Sequence, residues 1–112
     1  MLKLEQPLSR VTLIAPQFEE LTAANAAGFK RSILDLIEDG HSRIVIDLGQ
    51  VNAVDSSGIS ALVGVLQRLG LRGEMALCGM SEKVERLFTL TRMDRVFPIH
   101  SDADGAVRAL AA

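Results

Sequence analysis

Two opening stretches, LKLEQP and RVTLIA, alternate apolar and polar residues. That is the two-residue period of half-exposed strands, here an edge strand and its neighbour. Over FEELTAANAAGFKRSILDLIEDG the period changes. Leu21, Ala24, Gly28, Ile33, Leu36 and Ile37 recur at roughly three- and four-residue intervals, as on one helix face. Glu19 and Glu20 suit the start of that helix, where the macrodipole favours acids, and Gly40 suits its stop. In RIVIDL, Ile44, Val45, Ile46 and Leu48 are almost continuous, which predicts a strand buried on both faces. A second helix is expected over residues 57 to 69, with Gly70 and Gly73 bracketing the turn to a third core strand, EMALCG. Ser81 is a good N-cap for SEKVERLFTL, where Val84, Leu87 and Phe88 share a face. RVFPI reads as a short strand, and Pro98, which lacks an N–H, places it at a sheet edge. Asp102 and Asp104 open a last helix through Val107 and Leu110.

The resulting order is β-β-α-β-α-β-α-β-α. Strands alternating with helices predict an α/β fold, a mixed, mostly parallel sheet of about five strands with about four helices against it. No repeat, low-complexity tract or Pro/Gly/Ser-rich linker interrupts the 112 residues, so residues 1–112 are read as one domain. In such sheets function gathers at the carboxyl ends of strands.

Composition narrows the function. An apolar content of 48% is enough for one packed core, and the net charge of −2 argues against a polyanion binder. The pair Lys30-Arg31 is too small for a basic stripe. MLKLEQPLSR has neither an apolar h-region nor a small-residue cleavage site, and the longest apolar stretch, in GISALVGVL, is far short of a span, so a cytoplasmic protein is expected. The single cysteine, Cys78, lies in a strand pattern without a basic neighbour and reads as an inert core thiol. No P-loop or metal-ligand cluster is present, so neither cofactor nor metal is expected.

The informative stretch is VNAVDSSGISAL, where an acid, two hydroxyls and a glycine stand between a β-branched run and a helical pattern. Asp55, Ser56 and Ser57 are all competent helix caps, and Gly58 permits close approach of another backbone. The plain reading is a doubled cap. The sharper reading is a phosphoacceptor, because a phosphate at this point would meet free amides and the positive end of the helix dipole. Beside Asp55 it would also build a negative patch and repel a docked partner. In the following helix Ile59, Leu62, Val63, Leu66 and Leu69 cover one face, and Ala61 and Val65 extend it. A helix so widely apolar is either enclosed in the core or presents an edge to a partner.

The combination of IVIDLGQVNAVDSSGISALVGVLQRL with RGEMALCGMSEKVERLFTLTRMDRVFPI resembles the STAS domain, named for sulfate transporters and anti-sigma factor antagonists. The resemblance covers nearly the whole chain and is nearest to the small bacterial anti-sigma factor antagonists. It implies a STAS-like fold. It also implies a non-enzymatic partner switch that captures a GHKL-type serine kinase and anti-sigma factor when unphosphorylated. Phosphorylation on Ser56, with Ser57 as second choice, would release it, and a PP2C-type phosphatase would restore it. Asp55 would shape the site, and Ser57 and Gly58 would complete the loop. The partner surface is expected to comprise Glu19, Asp55, Ser56, Ser57, Gly58, Ile59 and Val63. The chain departs from the family's GE-x-D-like stretch: it reads APQFEE, with Pro16 at a common glycine position and Glu19 at the acidic one.

Other readings fit less well. A receiver domain could use Asp47, but IAPQ and RVFPIH lack its acidic pair and its lysine. A hydrolase would need a histidine for Ser56 or Ser57. The box lacks the G-x-S-x-G elbow, and His41 and His100 read as a loop residue and a residue after the last strand. A regulatory or structural STAS subunit of an ABC-type lipid transport complex, or of a signalling scaffold, is the alternative within the family. The double serine favours the switch.

Overall fold

A computed structural model describes residues 2–8 and 10–112. Strands β1 (Leu2–Leu8) and β2 (Val11–Pro16) form an antiparallel pair, with Leu2 opposite Pro16 and a register shift between Glu5 and Leu8. Three further strands add in parallel: β4 (Arg43–Asp47), β6 (Glu74–Cys78) and β7 (Ile99–His100). The sheet order is β1-β2-β4-β6-β7, a mixed sheet of five strands with β1 and β7 at its edges. Two short strands, β3 (Glu20–Leu21) and β5 (Ala53–Val54), pair in parallel as a separate ladder. Four helices complete the fold: α1 (Ala26–Glu38), α2 (Ser56–Leu69), α3 (Glu82–Leu90) and α4 (Ala103–Ala111).

The period-two alternation of the strands sorts their side chains between two cores. Ile14, Ile44, Ile46, Met75 and Leu77 face a large cluster shared with Phe29 and Ile33 of α1, Leu62 and Val65 of α2, and Val84 and Phe88 of α3. Val11, Val45, Ala76 and Cys78 face the other way, onto Ala106, Val107 and Leu110 of α4. Small residues at Ala76, Cys78 and Ala106 suit the close seating of one short helix. Covering both faces explains why RIVIDL is nearly continuous in apolar residues. Burial pushes the Cys78 thiol up to about 12, with the Asp47 and Asp102 charges adding to it, which fits the inert core thiol expected.

Three expectations are corrected. Glu19 and Glu20 do not start α1. Glu20 and Leu21 form β3, and the helix begins at Ala26, because Glu19 and Leu21 spend their carbonyls on the amides of Asn52, Ala53 and Asp55. The buried stripe of α1 is accordingly Ala26, Phe29 and Ile33, while Ala24 and Gly28 are exposed. RVFPI is not a strand throughout. Met93–Arg95 is a 3-10 turn and pairing begins at Ile99, although the Pro98 carbonyl still accepts from Leu77. His100 therefore lies within β7, not after it. The caps at Ser81 and Asp102 are as expected, accepting from the amides of Val84 and Gly105 at 3.3 and 2.8 Å.

Candidate functional site

The DSSG stretch follows β5 and opens α2. Asp55 is the N-cap. Its Oδ1 accepts from the Gly58 amide at 3.0 Å, and its Oδ2 accepts from the Ala23 amide at 3.1 Å, across the chain. One carboxylate thus caps α2 and ties it to the segment before α1. The Gly58 amide holds the Asp55 carboxyl below its ordinary value; partial desolvation opposes this and the Ala23 amide assists. Asp55 is therefore a charged cap.

Gly58 is fully enclosed. A Cβ at this position would stand 2.5 Å from the Leu21 carbonyl oxygen and 2.8 Å from Val54 Cγ1. The glycine lets α2 seat directly on the β3–β5 ladder. That ladder brings the backbone of Glu19 beside the site: its carbonyl accepts from the amides of Asn52 at 2.6 Å and Ala53 at 3.2 Å, while its side chain is exposed.

Ser56 and Ser57 are the first two residues of α2, Ser56 exposed and Ser57 half-buried. Both line a shallow groove of about 390 Å³ between the starts of α1 and α2, with Ala23, Ala27, Lys30 and Ser60. The site residues expected from the sequence therefore divide. Asp55, Ser56, Ser57 and Gly58 are contiguous, with Glu19 tied to the strand that precedes them. Ile59 and Val63 are half-buried and pack against the large core while keeping part of their surface open. The buried stripe of α2 is Gly58, Ala61, Leu62, Val65 and Leu69, so Ile59, Val63 and Leu66 form its margin.

Two features were not read from the sequence. Asn25 donates to the Glu20 carbonyl at 2.7 Å and accepts from the Thr22 amide at 3.0 Å, which fixes the bend between β3 and α1. Lys30 reaches the groove from α1. Its only sequence signal is the helical spacing of Ala23, Ala26, Ala27 and Lys30, which gives no partner face. Asp55 already occupies the Gly58 amide, so fewer free amides remain at the start of α2 than the sequence suggests.

The histidines lie elsewhere. His41 precedes β4 and its Nδ1 bonds Thr12 Oγ1 at 2.6 Å, whereas His100 is in β7. Among the described residues no cluster of His, Cys, Asp or Glu side chains is arranged to hold a metal, and no helix is long and apolar enough to cross a membrane.

The STAS domain family model matches residues 7–106. A Thermotoga maritima protein provisionally named an anti-sigma factor antagonist is 31% identical over 99 residues, 87% of each chain. A crystal structure from the same organism with that designation superposes with a TM-score of 0.91 at 28% identity, covering 100% of this chain and 96% of the other. The fold extends to the Bacillus cell fate determinant SpoIIAA in its phosphorylated form, at a TM-score of 0.71, 19% identity, and coverage of 97% and 99%. By its matched length and its architecture, the chain belongs to the STAS domain family.

Proposed function

We propose that this protein is an anti-sigma factor antagonist that works by partner switching in the cytoplasm. Unphosphorylated, it binds a GHKL-type serine kinase that doubles as the anti-sigma factor. Transfer of a phosphoryl group to Ser56 releases it, and a PP2C-type phosphatase resets it. The protein is the substrate in this cycle and not a catalyst. The observation that carries the reading is the position of Ser56: an exposed hydroxyl at the first residue of α2, directly after the charged Asp55 cap and at the rim of an open groove. Ser57, half-buried, is the less accessible acceptor. The names of the relatives support the partner class, and the phosphorylated state of SpoIIAA supports the chemistry for this fold.

A dianion at this point joins the ionised Asp55, so a docked partner meets repulsion and a desolvation cost. Phosphopeptide mapping of the protein from its native host, across growth and stress conditions, tests the reading. Phosphate on Ser56 that varies with condition is expected. In binding assays with the kinase so identified, Ser56→Ala keeps the fold, escapes phosphorylation and stays bound, while Ser56→Asp weakens binding on the order of tenfold, about 1.4 kcal/mol. Phosphate absent under every condition, with transporter subunits co-purifying, would overturn the switch and leave the stretch a cap and docking surface.

A further inference from the structure

The groove beside Ser56 contains a lysine. Lys30 lines it together with Ser56, Ser57 and Ser60. The lysine stem lies across α2, so that a Cβ at Gly64 would stand 2.7 Å from both Lys30 Cε and Nζ. Lys30 enters no ion pair among the described residues, whereas the adjacent Arg31 is paired with Asp35 at 3.2 Å. The lysine rests over a glycine in a groove of alanines and hydroxyls, with no ion pair among the described residues.

The need for such a cation follows from Asp55. A phosphate at a helix start ordinarily gathers the first free amides. Here Asp55 has taken that of Gly58, besides the Ala23 amide ahead of α1, and its own negative charge stands at the same helix end. A second anion on Ser56 therefore loses a donor and gains a repulsion. The start of α2 is tied through Asp55 to Ala23, three residues before α1 begins at Ala26, and Lys30 lies four residues into α1, roughly 6 Å at 1.5 Å per residue. Its flexible four-carbon stem lets the ammonium leave Gly64 and turn back toward the serines.

We propose that Lys30 is the intramolecular counter-ion of the phosphoryl group on Ser56. The inference rests on the phosphoserine reading and adds its regulation. Phosphorylation then alters the docking surface twice, by adding a dianion and by withdrawing the groove's cation from any acidic group of the partner. The modified domain stays folded because its new charge is answered within the groove.

The test installs phosphoserine at position 56 during synthesis, in the otherwise unaltered chain and in chains carrying Lys30→Gln or Lys30→Arg. The second phosphate ionisation is followed by ³¹P NMR. A nearby cation favours the dianion, so the unaltered chain titrates about half a pH unit below the Lys30→Gln chain. Lys30→Arg keeps the lower value, and the gap narrows in about 1 M salt. Coincident titrations of the unaltered and Lys30→Gln chains overturn the proposal. In the unaltered phosphoprotein the Lys30 ε-methylene proton shift supplies a measurement that needs no substitution at Lys30. Movement with the phosphate ionisation supports pairing, and a flat response overturns it. Since the phosphate is installed without any kinase, a flat titration refutes the role of Lys30 alone, whereas a failed phosphopeptide map refutes the switch.

Discussion

Gly58 and Gly64 stand less than two turns apart on α2, and their surroundings differ. At Gly58 a Cβ would meet the Leu21 carbonyl, a backbone atom fixed by the β3–β5 ladder. At Gly64 the nearest atoms it would meet are the end of the Lys30 side chain, which can swing aside. Gly58→Ala is therefore expected to destabilise by about 1–3 kcal/mol through overpacking. Gly64→Ala is expected to be neutral or to stabilise by up to about 1 kcal/mol, from better helix propensity. Urea denaturation of both variants measures the contrast, and equal losses would show that the Lys30 stem is not free to move. The DSSG stretch was legible because its signals, a cap, two hydroxyls and a glycine, lie within four adjacent residues. Lys30 was not, because its place depends on a helix pair whose members are far apart in the chain.

The start of α2 shows what a cap adds to an element. Asp55 serves two segments at once, and its depressed ionisation makes the link sensitive to acid. A carboxyl held below its ordinary value stabilises the fold above about pH 4, where the unfolded chain's carboxylate is ionised. That stabilisation is lost as pH falls through the lower folded value. Asp55→Asn keeps a side-chain acceptor but no charge. The gap in Tm between the unaltered chain and this variant should be open at neutral pH and close in acid, as followed by circular dichroism. A gap independent of pH would mean that the charge contributes nothing. The start of α1 was the element misread. Two glutamates before an apolar pattern are an ordinary helix opening, but here the carbonyls of Glu19 and Leu21 are engaged by residues 52 to 55. That tertiary pairing overrides the local preference.

Across the whole molecule, apolar side chains matter according to the face they occupy. Ile46 is fully buried in the large core, whereas Leu71, in the turn after α2, is fully exposed. Ile46→Ala should lose about 2–5 kcal/mol, the cost of transfer plus an unfilled cavity. Leu71→Ala should stay within about 0.5 kcal/mol. Similar losses on thermal unfolding would contradict this division. The margin of α2 lies between these extremes. Ile59 and Val63 touch the core yet remain partly open, so substitution there should cost less than at Ile46 and more than at Leu71.

The chain by itself determined the strand and helix periods, the caps at Ser81 and Asp102, the doubly buried β4 and the capping role of the DSSG stretch at the start of α2. These depend on backbone geometry and on contacts within a few residues. Only the tertiary structure decided that β3 pairs with β5, that α1 begins after a bend secured by Asn25, and that Asp55 reaches Ala23. It also decided that Lys30 shares a groove with Ser56. Each of these joins groups separated by a turn of chain or by a whole βα unit. Such pairings are selected by the packing of the complete core, which no local pattern encodes.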